Sequence, residues 1–330
     1  VRALLSTSSG WNCGDDWIRD GLLHALRLRP DVDTIWWNRG WGVDWSFANS
    51  PGVNLPLIDY VIMAGTPEWI DQNEAVYRYA LANDIPIALL GVGRDGCRKD
   101  HHDDMMQAVA DSGLVEVAIV RDETARDLLA GYGIDSQVMC DPAMFKPPVV
   151  PPGGDEVVVG WRGLNAMTPD ERHPGPNDAK LDDVLWRTWV SDEGRKKRVI
   201  VHDNREVAGA EALFHIARYS SDHDQIFRLY GDCGRYVGAR IHGFVAALIH
   251  GGSAHLVYNN RKAVVAETVI KRLWLEDSAA VTYLKEVDRV PDLKLVPPVD
   301  IWRRIRREEQ LFRTVCHGAP GLSRIMEGGR

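Results

Sequence analysis

Tyr236-Val237-Gly238-Ala239-Arg240-Ile241-His242-Gly243-Phe244-Val245-Ala246-Ala247-Leu248-Ile249-His250-Gly251-Gly252 passes from one periodicity to another. Tyr236 to Ala239 reads as a short apolar strand. From Ile241 onward the residues Ile241, Phe244, Val245, Leu248 and Ile249 recur at helical spacing, and Gly251-Gly252 ends the helix. Arg240 and His242 therefore fall at the end of a strand and the start of a helix. Free backbone N–H groups and the helix dipole favour an anion there. Arg240 adds a forked donor suited to carboxylate or phosphate. His242 can move a proton or donate to an oxyanion. The plainer reading is a strand-to-helix turn with a surface arginine and a capping histidine.

The same alternation extends outward in both directions. Ala3–Ser6, Leu57–Ala64, Ile85–Leu90 and Val115–Val120 read as strands. Asp15–Arg29, Glu68–Ala82 and Asp122–Ala130 read as helices, with Ile18, Leu22, Ala25 and Leu26 on one face of the first. Lys146-Pro147-Pro148-Val149-Val150-Pro151-Pro152-Gly153-Gly154 interrupts the pattern, because prolines remove backbone donors. Strands then resume at Glu156–Val159, Val199–His202, Tyr236–Ala239 and Ala254–Tyr258, and Asp300–Phe312 closes the chain as a charged helix. Continuous apolar strands between helices indicate parallel sheets covered on both faces. The expected fold class is α/β: two doubly wound Rossmann-like domains facing across a cleft. They span residues 1–146 and 155–330, with 147–154 as linker. Ligands of such sheets bind beyond the carboxyl ends of the strands.

Lys+Arg number 39 against Asp+Glu 47 in 330 residues, a net charge of −8. That balance argues against a broad nucleic-acid or anionic-membrane surface. No stretch approaches a membrane span, and the apolar run at the N-terminus is too short for a signal peptide. The five cysteines, Cys13, Cys97, Cys140, Cys233 and Cys316, contain no C-x-x-C pair. They are expected to be reduced thiols of a cytoplasmic protein, with Cys13 and Cys233 in glycine-containing loops.

Other segments are possible contributors to a site. Arg121 follows a strand directly, and Asp122 is placed to cap the next helix; an intramolecular salt bridge is the bland role for Arg121. Ser8 to Asp16 is a polar, glycine-containing loop without dinucleotide or P-loop spacing. Asp15 there is either a cap or a general base. Of the 12 tryptophans, Trp11, Trp17, Trp36, Trp37, Trp41, Trp45 and Trp69 crowd the early chain. The run from Trp36 to Trp45 is too glycine-rich for a helix, and its flat faces suit sugar rings; packing in the core is the alternative. His101-His102-Asp103-Asp104 and Ser221-Asp222-His223-Asp224 read as polar helix starts, since consecutive ligands do not share a helical face. No metal site is expected.

In order along the chain, these residues resemble the polysaccharide pyruvyltransferase family. Asn12-Cys13-Gly14-Asp15 is similar to its Asn-x-Gly-Asp loop. Asp59–Gly65 and Ile85–Gly93 resemble its next two strand-loop units. Arg121-Asp122, Leu128-Leu129, Gly133-Ile134 and Asp141-Pro142 resemble its Arg-Asp…Leu-Leu…Gly…Asp-Pro stretch. Gly238-Ala239-Arg240-Ile241-His242-Gly243 resembles its Gly-x-Arg-Leu-His motif, with Tyr258 and Arg261-Lys262 downstream. Ile241 replaces leucine, and Ala64-Gly65-Thr66 lacks the usual glycine pair, so the acceptor is not inherited.

The resemblance implies a GT-B-like fold. It implies transfer of an enolpyruvyl-derived group from phosphoenolpyruvate to saccharide hydroxyls as a pyruvate ketal, in polysaccharide biosynthesis, with no further cofactor. It places the donor on Arg240, His242 and Arg121, with Ile241, Gly243 and Lys262 beside them. The chemistry of ketal formation makes His242 the acid or phosphate stabiliser and Asp15 the base. Asn12, Trp41 and Trp45 are the expected acceptor contacts. The acceptor is a saccharide, free, nucleotide-linked or lipid-linked. A GT-B glycosyltransferase using a nucleotide sugar is the rival, with Glu267 as its ribose contact. A non-catalytic saccharide-binding protein is the third reading.

Overall fold

The computed structural model describes residues 1–7, 13–38, 57–65, 70–93, 102–151, 153–162, 176–191, 194–258, 263–283, 293–294 and 296–328. The chain forms two units. The first comprises Val1–Gly10, Asp15–Lys146 and Arg307–Arg330, and the second Trp11–Gly14 and Pro147–Arg306.

In the first unit, β1 (Arg2–Thr7), β2 (Asp33–Asn38), β3 (Tyr60–Gly65), β4 (Ile87–Val92), β5 (Val115–Val120) and β6 (Gln137–Val138) form one sheet in the order β2-β1-β3-β4-β5-β6. Every pairing is parallel. The strands alternate with α1 (Cys13–Leu26), α2 (Ile70–Ala82), α3 (His102–Asp111) and α4 (Glu123–Gly131). All six residues of β3 and of β4 are buried, as a sheet covered on both faces requires. Leu4, Val61, Met63, Val76, Tyr77, Leu89, Val120 and Leu129 belong to one buried cluster of this core. The strand order reverses between β1 and β3, the switch point of a doubly wound sheet.

The second unit repeats the plan. Its strands β7 (Glu156–Gly160), β8 (Lys197–Ile200), β9 (Cys233–Gly238), β10 (Ser253–Tyr258) and β11 (Ala279–Tyr283) are ordered β11-β10-β9-β7-β8. They too are all parallel. The switch point lies between β7 and β9. The helices are α5 (Pro176–Ser191), α6 (Val207–Phe214), α7 (His223–Arg228), α8 (Ile241–Ile249) and α9 (Ala263–Leu273). α8 is the most apolar of these by sequence, and seven of its residues from Gly243 to Ile249 are buried. Trp186 and Trp189 pack against Phe214, with ring centroids 6.1 and 5.7 Å away.

The structure departs from the expected boundaries in instructive ways. The chain changes unit at Lys146/Pro147, where the proline run begins. The last segment groups with the first unit rather than with residues 155–306. The closing helix is longer than expected: α10 covers Pro298–His317 and is followed by α11 (Pro320–Ile325). Within the first unit, Glu308 Oε1 accepts from Cys140 N at 3.2 Å, and Phe312 meets Phe145 edge-on at 5.2 Å. Arg29 N donates to Ile325 O at 2.9 Å, and Glu327 N to Arg27 O at 2.8 Å. These long-range ties have no periodic signal in the sequence.

Trp36 and Trp37 lie in β2, an edge strand that the glycine-rich reading of residues 36–45 did not separate. The third strand begins at Tyr60, not Leu57; just before it the Asp59 carboxylate accepts from Arg2 N of β1 at 2.7 Å. Cys13 starts α1 and Cys233 starts β9, so neither occupies a loop. Cys13, Cys140, Cys233 and Cys316 are buried, and Cys97 lies outside the described residues. Among the described residues no helix is long and apolar enough to cross a membrane.

Phe312 is fully buried. Phe312→Ala is expected to cost about 3–5 kcal/mol of stability by leaving a cavity. Urea unfolding followed by tryptophan fluorescence measures this; a loss below about 1 kcal/mol would separate α10 from the first core.

Candidate functional site

The second unit places its charged groups where β8 and β9 end. Arg240 is the N-cap residue of α8, and His242 lies in its first turn. The Arg240 side chain itself makes no capping hydrogen bond. Neither residue is on the surface: the Arg240 side chain is 19% exposed and His242 8%, against the plain expectation of a surface arginine. The turn is built on Tyr236. Its hydroxyl donates to Arg240 O at 2.9 Å, and Arg240 N donates back to the same oxygen at 3.3 Å. Gly243 lets two aromatic hydroxyls approach: a Cβ there would fall 2.6 Å from Tyr236 Oη and 2.7 Å from Tyr230 Oη. Ile241, at the first helical position, is half-buried.

Around Arg240 the fold gathers residues that carry no motif. Glu206 ends a single 3-10 turn (Asn204–Glu206) after β8. Its carboxylate pairs with Arg240 through Oε1 and Nη2. His202 Nε2 and Tyr230 Oη are 2.8 Å apart. Burial, then the nearby Arg240 and His242, hold the His202 imidazole well below the ordinary 6.5, so it is neutral at pH 7. Burial likewise pushes the Tyr230 phenol well up. Asp203 is desolvated too, but hydrogen bonds from Arg205 outweigh burial and keep it a carboxylate. The only sequence signal for this cluster is its position just beyond the strand read at Val199–His202.

The first unit holds a second charged cluster, at the ends of β4 and β5. Arg121 Nη1 donates to Asp141 Oδ2 at 2.8 Å, with the arginine side chain 11% and the aspartate 0% exposed. Arg121 follows the strand and makes the intramolecular salt bridge of its bland role. Arg121 Nε is buried and bonds to nothing among the described residues. Burial opposes the guanidinium charge, but Asp141, Asp122 and, less strongly, Asp15 outweigh it. Asp15 therefore lies within electrostatic reach of Arg121, in the first turn of α1. A Cβ at Gly93 would sit 2.2 Å from Arg121 Nε, so glycine is required there. Asp122 caps α4, accepting from Ala125 N at 2.8 Å. Asp141 also caps the turn Pro142–Phe145, its Oδ1 accepting from Ala143 N at 2.9 Å, which explains the Asp-Pro dipeptide.

Asn12, Trp41, Trp45 and Lys262, like Trp11, Trp69 and Arg261, lie outside the described residues. Trp17 is core, fully buried. Trp36 is 42% exposed, its Nε1 donating to Thr7 Oγ1 at 2.9 Å with the Arg19 guanidinium 4.6 Å from its ring centre. Glu267 is exposed on α9. The two polar stretches begin helices as expected: His102, Asp103 and Asp104 open α3, and Asp222 caps α7.

The family model for polysaccharide pyruvyl transferase matches residues 12–261. The chain belongs to the polysaccharide pyruvyl transferase family. The match runs through both clusters, from Asp15 through Arg121 and Asp141 to Arg240 and His242. No curated protein matches the sequence. Among solved structures, the chain is similar to UDP-GlcNAc 2-epimerase from Neisseria meningitidis bound to UDP-GlcNAc, at 8% identity and TM-score 0.52, covering 96% of this chain and 94% of that one. The Methanocaldococcus jannaschii UDP-GlcNAc 2-epimerase gives 9% and 0.51, covering 93% and 98%. The S. aureus MnaA–UDP structure gives 10% and 0.51, covering 95% and 90%. At these identities the likeness is one of fold, two Rossmann-like α/β domains of the GT-B kind.

A buried neutral histidine ties stability to pH with a definite sign. The unfolded chain protonates His202 near 6.5 and the folded chain refuses the proton, so stability is lost as pH falls below about 6.5. His250 and His255, also lowered by burial, add to the slope. His202→Gln is expected to lose less stability than wild type between about pH 7 and pH 5. Urea midpoints across that range test it, and equal slopes for the two proteins would refute it.

Proposed function

We propose that this family member transfers the enolpyruvyl-derived group of phosphoenolpyruvate to two hydroxyls of a saccharide, forming a pyruvate ketal and releasing phosphate. The observation that carries the reading is the match over residues 12–261 together with what Gly238–Gly243 builds: a half-buried arginine and a buried histidine at a helix start. A phosphate or carboxylate suits that start, since backbone N–H groups and the dipole face it.

The chemistry balances on the donor. The methylene carbon takes a proton and C2 becomes electrophilic. One hydroxyl oxygen adds to C2, and the second displaces phosphate from it. Of the two hydroxyl protons, one replaces the proton spent on the methyl group and the other leaves on phosphate. His242 is the proposed acid or phosphate stabiliser, and Arg240 the donor clamp. In the first unit Arg121 is the proposed second donor contact and Asp15 the base, on the family resemblance. Ile241 and Gly243 contribute backbone to the donor site. Lys262 as a donor contact, and Asn12, Trp41 and Trp45 as acceptor contacts, remain proposals from the sequence. The donor enters as substrate, and the proposal needs no other cofactor.

Calorimetric titration with phosphoenolpyruvate, with UDP and GDP in parallel, tests the donor. Binding of phosphoenolpyruvate and not of the nucleotides is expected. Arg240→Ala should weaken transition-state stabilisation by roughly 2–4 kcal/mol, and Arg240→Lys should not restore it, because the fork is lost. Nucleotide binding with no response to phosphoenolpyruvate would favour a nucleotide-sugar glycosyltransferase instead. Sugar binding that survives Arg240→Ala, with no phosphate released, would mark a non-catalytic saccharide-binding protein.

A further inference from the structure

We infer that Glu206 is the positioning residue of the donor arginine, setting the plane of the Arg240 guanidinium before any donor arrives; its value to catalysis rests on the donor reading above. The Glu206 side chain is 0% exposed. A carboxylate taken wholly out of water must be paired on both oxygens, or it destabilises the fold. The structure pairs it from two sides. Arg240 Nη2 donates to Oε1, and His202 N donates to Oε2 at 3.3 Å. One oxygen is thus tied to the backbone leaving β8, and the other holds the arginine.

The arrangement fixes Arg240 at two levels. Tyr236 holds its backbone through both N–H and C=O. Glu206 then holds one terminal nitrogen of the guanidinium, which restricts how the planar fork can turn. Asp203 is taken by Arg205, with Nε to Oδ1 at 2.9 Å and to Oδ2 at 3.0 Å. Asp203 also caps the turn that presents Glu206, accepting from Arg205 N at 2.9 Å.

Charge and geometry make opposite predictions, which allows a test. If Glu206 acted only through its charge, it would repel an anionic donor, and Glu206→Gln would tighten binding. If it positions, Glu206→Gln weakens binding. A glutamine side chain has one acceptor oxygen and one donor nitrogen, so it cannot accept from Arg240 at one terminal atom and from His202 N at the other.

The experiment titrates phosphoenolpyruvate into wild type, Glu206→Gln, Arg240→Ala and the double variant. Glu206→Gln is expected to weaken binding about tenfold, and to add nothing once Arg240 is alanine. Unchanged or tighter binding, or a loss that persists in the Arg240→Ala background, overturns the inference. Nitrogen-15 NMR of the ligand-free protein reads positioning without any donor, with the Arg240 guanidinium signals identified by their loss in Arg240→Lys. Slow rotation about the Arg240 Cζ–Nη2 bond in wild type, faster in Glu206→Gln, supports it, and free rotation in wild type overturns it. If wild type takes up no phosphoenolpyruvate, the donor reading fails while the NMR result still judges Glu206. Should Glu206→Gln not fold, Glu206→Asp and the wild-type spectrum serve in its place.

Discussion

The hydroxyl of Tyr236 is the contact on which the charged cluster of the second unit is built. It stands at the point where β9 gives way to α8, bonded to both backbone groups of Arg240. It is lodged so tightly that a Cβ on Gly160 or Gly238 would come within 2.1 or 2.4 Å of it. Three glycines, Gly160, Gly238 and Gly243, therefore make one cavity for one phenol. A strand that runs into a helix must reverse the hydrogen-bonding pattern of its backbone, and buried groups at that reversal need partners. Tyr236 supplies them from within the same turn, so the side chains of Arg240 and His242 are left to other work.

Both units are doubly wound, and in each the order of the first two strands reverses against the third. This topology concentrates helix starts and strand ends at one edge of a sheet. It is there that the chain has put its buried charges: Arg121 with Asp141 in the first unit, Arg240 with Glu206 in the second. In each pair a guanidinium following a strand is matched by a carboxylate with no solvent access. Such a pair offers direction rather than bulk charge.

Much of this organisation is visible in the order of residues. Continuous apolar runs such as Val61 to Ala64 are buried on both sides, and only a covered parallel sheet does that to a strand. The helix after Arg240 is visible because its apolar residues recur at helical spacing. Asp122 before Glu123 and Thr124 reads as a cap and is one. The edge strand β2 was harder to separate, since an edge strand is paired on one side only and its tryptophans run on into a glycine-rich segment. The return of residues 307–330 to the first unit left no trace, because Glu308 meeting Cys140 and Gly321 N meeting Glu116 are contacts across more than half the chain.

The α/β class, the change of unit at the proline run and the place of Arg240 and His242 at a strand-to-helix turn are legible in the order of residues. These follow from periodicity and from residues with restricted backbones, which act locally. The enclosure of Glu206 against a half-buried Arg240, and the neutral His202 beside them, emerge on folding alone. Glu206 lies 34 residues from Arg240 along the chain. Nothing in a local pattern distinguishes a glutamate that will face water from one that will be enclosed with an arginine. The difference arises when two strands far apart in sequence come to lie on either side of β7, and water is excluded from the space where they end.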